Sequence, residues 1–397
     1  MISSKKSSAL DGVKVLELAG PLSEYTGKLF ADLGAEVTLI EPPQGARSRT
    51  QGPLRAGAAP DQDSLAFEYY NAGKRSVTLD LDCEADRAVF RQMAAKANLL
   101  IESERPGLMA ARGLAFADLH QLAPALVHTS VTPFGQTGPY AEYEAEDIVL
   151  LALGGLLSLA GFADSAPTRV WGDQAVLAAA QFAAVGAMAA LLHAEATGEG
   201  QHVDIAAQQC VVMGLENAVQ FADLEGTVRK RAGGAVRYAG TGIFACQDGE
   251  VFVMAAGVGE PRFWQCTVAW LRAEGVSEVE EIADLRWRDF KFLATAEAKQ
   301  IFNRIFAPFA ASRALKYLYH EGQRRGVPIA PMSSPSDLVR NDQLNARGFF
   351  VPSANPALAG ALMPGAPYSL SATPWRAGAA PPRLGEHNAL VRAEHSA

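Results

Sequence analysis

The sequence predicts an α/β protein: a Rossmann-like large domain with a parallel sheet, joined to a smaller α+β domain. Three observations carry this. Short apolar strand segments alternate with helical ones over the first third of the chain, the βαβ rhythm that places helices on the faces of a parallel sheet. A single Asp-Gly hairpin follows a late shift in composition, which marks a second, smaller unit. The 397 residues are 49% hydrophobic and 20% charged, enough apolar mass to bury large cores and enough length for two or three domains.

The first strand is Val13 to Leu18. Ser23 stands where it can cap a helix running to Leu33, and Gly34 ends that helix. Glu36 to Ile40 is the next strand, stopped by Pro42-Pro43. Ser76 to Leu81 alternates as a third, and a helix follows from Glu84 to Ala97. Leu99 to Ile101 and Leu126 to Thr132 are two more strands. Val176 to Thr197 reads as a long Ala-rich helix whose small side chains permit close packing, ended by Gly198-Glu199-Gly200-Gln201. His202 to Ile205 is a further strand, with a helix through Val211 and Leu215. The run Gly226 to Gly242, rich in Gly, Arg and Lys, is expected to be a linker. Ile243–Cys246 and Val251–Met254 then flank Gln247-Asp248-Gly249-Glu250 as a hairpin, and helices continue to Arg325. Pro-rich sequence from Pro352 to Pro382 suits an extended return path. The expected domains are 1–225 (large), 226–330 (small) and 331–397 (a segment packing back on the large domain).

Composition also excludes. A formal net charge of −8 disfavours nucleic acid and anionic membranes as partners. Met1 to Leu10 is polar with no apolar stretch after it, so no secretory signal is expected. The run Ile148 to Ala163 contains Gly154, Gly155 and Gly161 and falls short of the about 18 residues of a membrane span. The four cysteines and seven histidines are scattered, without C-x-x-C or H-E-x-x-H, so a reducing cytoplasm is expected and a metal site is not. No G-x-G-x-x-G follows a strand and no G-x-x-x-x-G-K-[ST] occurs. In an open parallel sheet the ligand loops lie beyond the carboxyl ends of the strands, here Ala19–Ser23, Glu41–Arg49 and Ser103–Arg112.

Seven segments carry a family resemblance: Leu10 to Glu17, Ala31 to Val37 with Ile40-Glu41-Pro42-Pro43, Asn71-x-x-Lys74-Arg75-Ser76, Pro106-Gly107, Thr197-Gly198-x-Gly200-Gln201, Gly326 to Met332, and Leu384-Gly385-Glu386-His387. Each alone is weak, but the ordered set resembles the family III coenzyme A transferases over nearly the whole chain. The resemblance implies a large and a small domain in two chains threaded as an interlocked dimer. It also implies CoA and acyl-CoA as substrates, with no permanently bound cofactor. In that family, the resemblance implies, an Asp carboxylate attacks the donor thioester and releases CoA thiolate to give a mixed anhydride, and the thiolate then returns to the aspartyl carbonyl, releasing the donor acid and leaving an aspartyl-CoA thioester.

Asp173, in Trp171-Gly172-Asp173-Gln174, is the candidate nucleophile. Counting without gaps from Gly161 or from Thr197-Gly198 instead puts Val176 at that position, and the reading preferred for Asp173 is a helix cap. Asp147 resembles the family's second carboxylate. Glu146 stands where the related α-methylacyl-CoA racemases have a catalytic His, which weakens a racemase reading. Arg47, Lys74, Arg75, Arg105 and Arg112 are candidates for the CoA phosphates, with Pro21, Leu22 and Ser103 in the same loops. Ala111 falls where the family usually has a CoA-binding Arg, and Gly20-Pro21-Leu22 lacks a polar residue common in catalytic members. These departures resemble the subunit without a nucleophile in a heteromeric transferase of the succinyl-CoA:benzylsuccinate kind, whose sister subunit carries the Asp. The alternatives are a self-sufficient homodimeric transferase using Asp173 and an acyl-CoA-binding protein without turnover.

Overall fold

The computed structural model describes residues 8–55, 64–231, 238–256 and 261–395, with no side chains described at 392, 394 and 395. The expected linker therefore lies partly outside the described residues, at 232–237. Two compact units form. The first holds residues up to Leu159, Arg169–Arg229 and Asp342 onward, and the second holds Ala160–Thr168 and Lys230–Asn341.

The first unit is organised by six strands, β1 (Lys14–Leu18), β2 (Glu36–Glu41), β3 (Arg75–Thr78), β4 (Leu99–Glu102), β5 (Val127–Thr132) and β6 (His202–Ala206). Their order is β3-β2-β1-β4-β5-β6, and every pairing is parallel. The chain reverses direction across the sheet between β1 and β4, so the crevice for a ligand opens above those two strands. Its helices are α1 (Glu24–Asp32), α2 (Leu65–Tyr70), α3 (Glu84–Ala94), α4 (Leu108–Ala111), α5 (Phe116–Leu122), α6 (Asp147–Leu153), α7 (Leu156–Leu159), α8 (Gln174–Thr197), α9 (Ala207–Met213) and α10 (Ala218–Glu225).

Alternation along the strands sorts the core onto two faces. Leu16, Leu18, Ile40, Val77 and Leu100 pack on Phe90 and Met93 of α3. Val15, Val37, Leu99, Ile101 and Val127 face the other way, onto Phe30 of α1 and Ala187, Ala190 and Ala194 of α8. The alanines let α8 lie close on the sheet. By length and hydropathy alone α8 could cross a membrane, but its Ala stripe is the buried lid of this core. The edge at β3 is covered by the closing motif: His387 donates its backbone N–H to Ser76, and Asn388 accepts from the Thr78 N–H and donates to its hydroxyl. That pairing explains Leu384-Gly385-Glu386-His387 as an edge cover.

The second unit carries the antiparallel sheet β7 (Thr241–Cys246), β8 (Gly249–Met254) and β9 (Ile329–Pro331). It packs on α11 (Pro261–Ala273), α12 (Phe290–Leu293), α13 (Ala296–Ala311) and α14 (Leu315–Arg324) around Trp264, Trp270, Trp287, Phe302 and Phe306. The hairpin forms as expected, but Gln247 and Asp248 make its turn and Gly249 already pairs with Cys246. The return path is extended, with β10 (Phe350–Pro352) and β11 (Leu362–Pro364) as a short antiparallel pair.

Candidate functional site: the carboxyl edge of the parallel sheet

Beyond β1 and β4 the loops come into close register. A Cβ placed on Gly20 would overlap the Ser103 hydroxyl oxygen, so a larger residue there would have to turn that hydroxyl aside. Leu22 is buried against Val131 and Ala179, and Pro21 is exposed. Ser23 occupies the position ahead of α1, but its hydroxyl donates to the Leu18 carbonyl (2.8 Å) and caps no helical N–H. It fixes the exit of β1.

Beneath these loops lies a buried charge network. Glu17, inside β1, accepts from Lys74 Nζ at 2.5 Å, and that ammonium also donates to the Glu24 carbonyl and to Asn71 Oδ1. Asn71 and Ser48 donate to the two oxygens of Glu24. Gly27 lets α1 descend onto the Glu17 carboxylate, where a Cβ would collide. Burial pushes the Glu17 carboxyl up to about 7, with Lys74 opposing the rise. Glu41, the last residue of β2, takes Arg49 in a two-pronged pair at 2.6 and 2.8 Å. It also accepts from the Ala46 N–H and the Ser76 hydroxyl. Arg49 stacks over Phe67 and donates to the Pro382 carbonyl. The loop carrying Arg47 is thereby pinned at both ends while Arg47 itself stays exposed.

This geometry sorts the candidate CoA-phosphate residues. Lys74 is not among the exposed ones: its side chain is fully buried against Glu17. It neutralises a carboxylate inside the fold, which corrects the phosphate expectation. Arg75 faces away from the loops, onto Glu36 at 2.6 Å, where it lines a cavity of about 260 Å³ with Lys14 and Lys96 near the amino ends of the strands. That placement corrects it too. Arg112, just past α4, is held by Asp82 at 2.9 Å and Glu104 at 3.6 Å. Arg105 is exposed and paired with the exposed Glu144. Arg47 and Arg105 are thus the cations presented at the loop tips, with Ser103 half-buried between the loops.

The carboxylates ahead of α8 are arranged against expectation. Asp173 sits at the cap position, yet its side chain caps nothing. The cap comes from Asp147, the first residue of α6, whose Oδ1 accepts from the Ala175 N–H at 2.7 Å and lies 3.4 Å from the Val176 N. Asp147 is 7% exposed, and its Oδ2 has no hydrogen bond. Burial pushes its carboxyl up, the two amides pull it down, and Asp173 adds a smaller upward push. Asp173 is exposed and meets one nitrogen of Arg169 at 3.3 Å, while the same nitrogen lies 3.6 Å from Asp147 Oδ2. Val176 is half-buried in the α6–α8–α9 core. Glu146 is exposed. Tyr70, at the end of α2, feels both carboxylates: burial raises its hydroxyl first, and Asp173 raises it next.

Sequence reasoning missed Arg169, Trp171, Tyr70 and the Glu17 and Glu41 network. The two glutamates carried a signal, since a charge inside an otherwise apolar parallel strand needs a buried partner. Arg169 and Trp171 carried none.

The comparisons decide the family. The model of CoA-transferase family III matches residues 10–388. The chain belongs to CoA-transferase family III. It is accordingly a CoA-transferase, acting between acyl-CoA thioesters and carboxylic acids. It is 41% identical to the succinyl-CoA:(R)-benzylsuccinate CoA-transferase subunit BbsE of Thauera aromatica, over 96% of this chain and 93% of that protein. It is 32% identical to the acetyl-CoA:oxalate CoA-transferase of Acetobacter aceti, over 99% and 97%. Among solved structures, a CAIB/BAIF family protein from Brucella suis superposes with a TM-score of 0.82 at 29% identity, covering 98% of this chain and 99% of the other.

Proposed function

We propose that this chain is the subunit without a nucleophile in a heteromeric succinyl-CoA-dependent transferase, whose acceptor is an aryl-substituted dicarboxylic acid. The observation that carries the reading is the start of α8. Counted without gaps, the nucleophile position is Val176, an apolar side chain packed into the core with its backbone N directed at Asp147. Asp173 lies outside the helix, exposed and loosely held. The likeness to BbsE, named as a subunit of a benzylsuccinate transferase, supports both the heteromer and the acid class.

Arg47 and Arg105 are the side chains assigned to the CoA phosphates, with Pro21, Leu22 and Ser103 forming the loop floor. Asp147 holds the α8 terminus in place. A pairing with a second chain fits the apolar side chains exposed on α8 to α10, among them Val185, Leu192, Met213 and Leu224. A cytoplasmic setting suits the thioester substrates.

The test is to purify the chain alone and with any subunit that copurifies, then assay CoA exchange from succinyl-CoA to benzylsuccinate. The chain alone should be inactive and the complex active, with native mass spectrometry showing the second chain. Turnover by the chain alone that Asp173→Ala abolishes would establish the homodimeric reading instead. Hydroxylamine decides the same point chemically, because it modifies Asp173 only where that carboxyl has become an anhydride or thioester.

A further inference from the structure

We infer that the cavity at the amino ends of β1, β2 and β3 is a binding site for a small organic dianion, a dicarboxylate or a phosphate monoester, held by Lys14, Arg75 and Thr38 over an apolar floor. It lies at the end of the strands opposite the loops assigned to CoA, and it stands whether or not the proposed reaction does.

Strand register builds the site. Lys14 lies beside Glu36, Leu16 beside Thr38, and Thr38 beside Arg75. Residues two apart on a strand share a face, so these side chains stand on the face that α3 covers, where Leu16, Ile40 and Val77 are packed. Neither the end of α3 nor the closing helix, Asn388–His395, fills the space over the amino ends. About 260 Å³ remains, with Met93 and Val391 also in its lining. Leu16, Met93 and Val391 are all buried and give the cavity its apolar floor.

The polar lining calls for an anion. Lys14, Arg75 and Lys96 face one carboxylate, Glu36, a local positive excess in a chain whose formal net charge is −8. Glu36 takes Arg75 through one nitrogen, Nη1, at 2.6 Å, and the two side chains are 40% and 30% exposed. Such an exposed pair contributes little, and the rest of the guanidinium fork has no partner among the described residues. Two oxygens of one anionic group fit it. Lys14 is bonded through its backbone N–H to Asn98, and its ammonium has no partner among the described residues. Thr38 is only 6% exposed, yet its hydroxyl makes no hydrogen bond among them. A hydroxyl so deeply buried normally has a partner, and Thr38 lines the cavity, where a ligand oxygen supplies one. A dianion balances the charge excess, and the floor adds contact that a bare inorganic ion cannot use.

The experiment is calorimetry on the protein as purified, with and without saturating CoA, using phenyl phosphate, phthalate and inorganic phosphate. Phenyl phosphate or phthalate should bind at millimolar concentration or below, equally well with CoA present, and the tighter of the two names the source of the dianion. Inorganic phosphate should bind a few-fold more weakly than phenyl phosphate, for want of the floor. Lys14→Ala should weaken the tighter probe by roughly three- to tenfold, more at low salt than at high. Thr38→Val removes the hydroxyl at nearly constant shape and should weaken it by about as much. Glu36→Gln should tighten binding a few-fold, because the carboxylate that shares Arg75 becomes neutral. That gain marks a ligand site, since a substitution that merely loosened the fold would weaken binding. Failure of both organic probes to bind overturns the inference. So does binding seen only without CoA, which puts the anion in the CoA loops. Equal affinity for inorganic and phenyl phosphate overturns the organic ligand, and affinities unmoved by all three substitutions overturn the site.

Discussion

Two groups of charged side chains lie toward the carboxyl edge of the same sheet, and they are built in opposite ways. Under the first loops, Glu17, Lys74, Glu41 and Arg49 are sealed from water, and their contacts close at 2.5–2.8 Å. Ahead of α8, Arg169 and Asp173 are exposed and meet at 3.3 Å. Burial makes the first group a structural commitment, because a charge left alone there costs several kcal/mol. Exposure makes the second nearly free to re-pair, since such contacts contribute about 0–1 kcal/mol. The same residue types therefore answer to different measurements: stability for the sealed group, affinity for the open one.

The largest effect expected is on Lys74. Lys74→Ala leaves the Glu17 carboxylate buried without its partner, and the cost should be about 3–5 kcal/mol in chemical denaturation. Were Lys74 a CoA ligand, the variant would keep its stability and lose only CoA binding, and the contrast drawn above would collapse.

The pH profile sharpens the same point. The Glu17 carboxyl is raised from 4.5 to about 7 in the fold. The folded chain therefore holds this proton more tightly than the unfolded chain does. The associated stability is present in full below pH 4.5 and is lost as pH rises towards 7, up to about 3 kcal/mol from this group. Denaturation at pH 5 and pH 8 should show that loss, and Glu17→Gln should flatten it. A profile with the same slope in both proteins would place the titrating group elsewhere.

Arg47 and Arg105 test the open side. Each presents a charge at a loop tip, so alanine at either should weaken CoA binding about tenfold by calorimetry, more at low salt than at high, with stability changed by less than about 0.5 kcal/mol. A melting shift as large as that of Lys74→Ala would mean that the loop tips are sealed as well.

The sequence carried the sheet because its signals were local. All six strands of the parallel sheet fall where short apolar runs alternate with helices, and Gly34 and Gly198 end α1 and α8. Partner identity was not legible. Lys74-Arg75 reads as a basic pair, but Lys74 lies in the turn ahead of β3 and Arg75 opens the strand, and one cation is buried on Glu17 while the other turns to Glu36. Asp173 stands in cap position by sequence, while the side chain that performs the capping is Asp147, 28 residues before the Ala175 N–H that it accepts from. Only folding brings α6 against α8, and no local pattern records that contact.

The smallest effects belong to that exchange of roles, and they discriminate best. Asp147→Ala removes the acceptor for the Ala175 N–H and should cost about 1–2 kcal/mol, the usual loss of a helix cap. Asp147→Asn retains an acceptor oxygen and should recover most of it. Asp173→Ala removes one long, exposed ion pair, so stability should move by no more than about 0.5 kcal/mol. Turnover of the complex should stay within a few-fold. The order of the pair carries the argument: a larger stability loss at Asp173 than at Asp147 would restore Asp173 as the cap. A collapse of turnover at Asp173 with stability intact would instead make that exposed carboxylate the nucleophile.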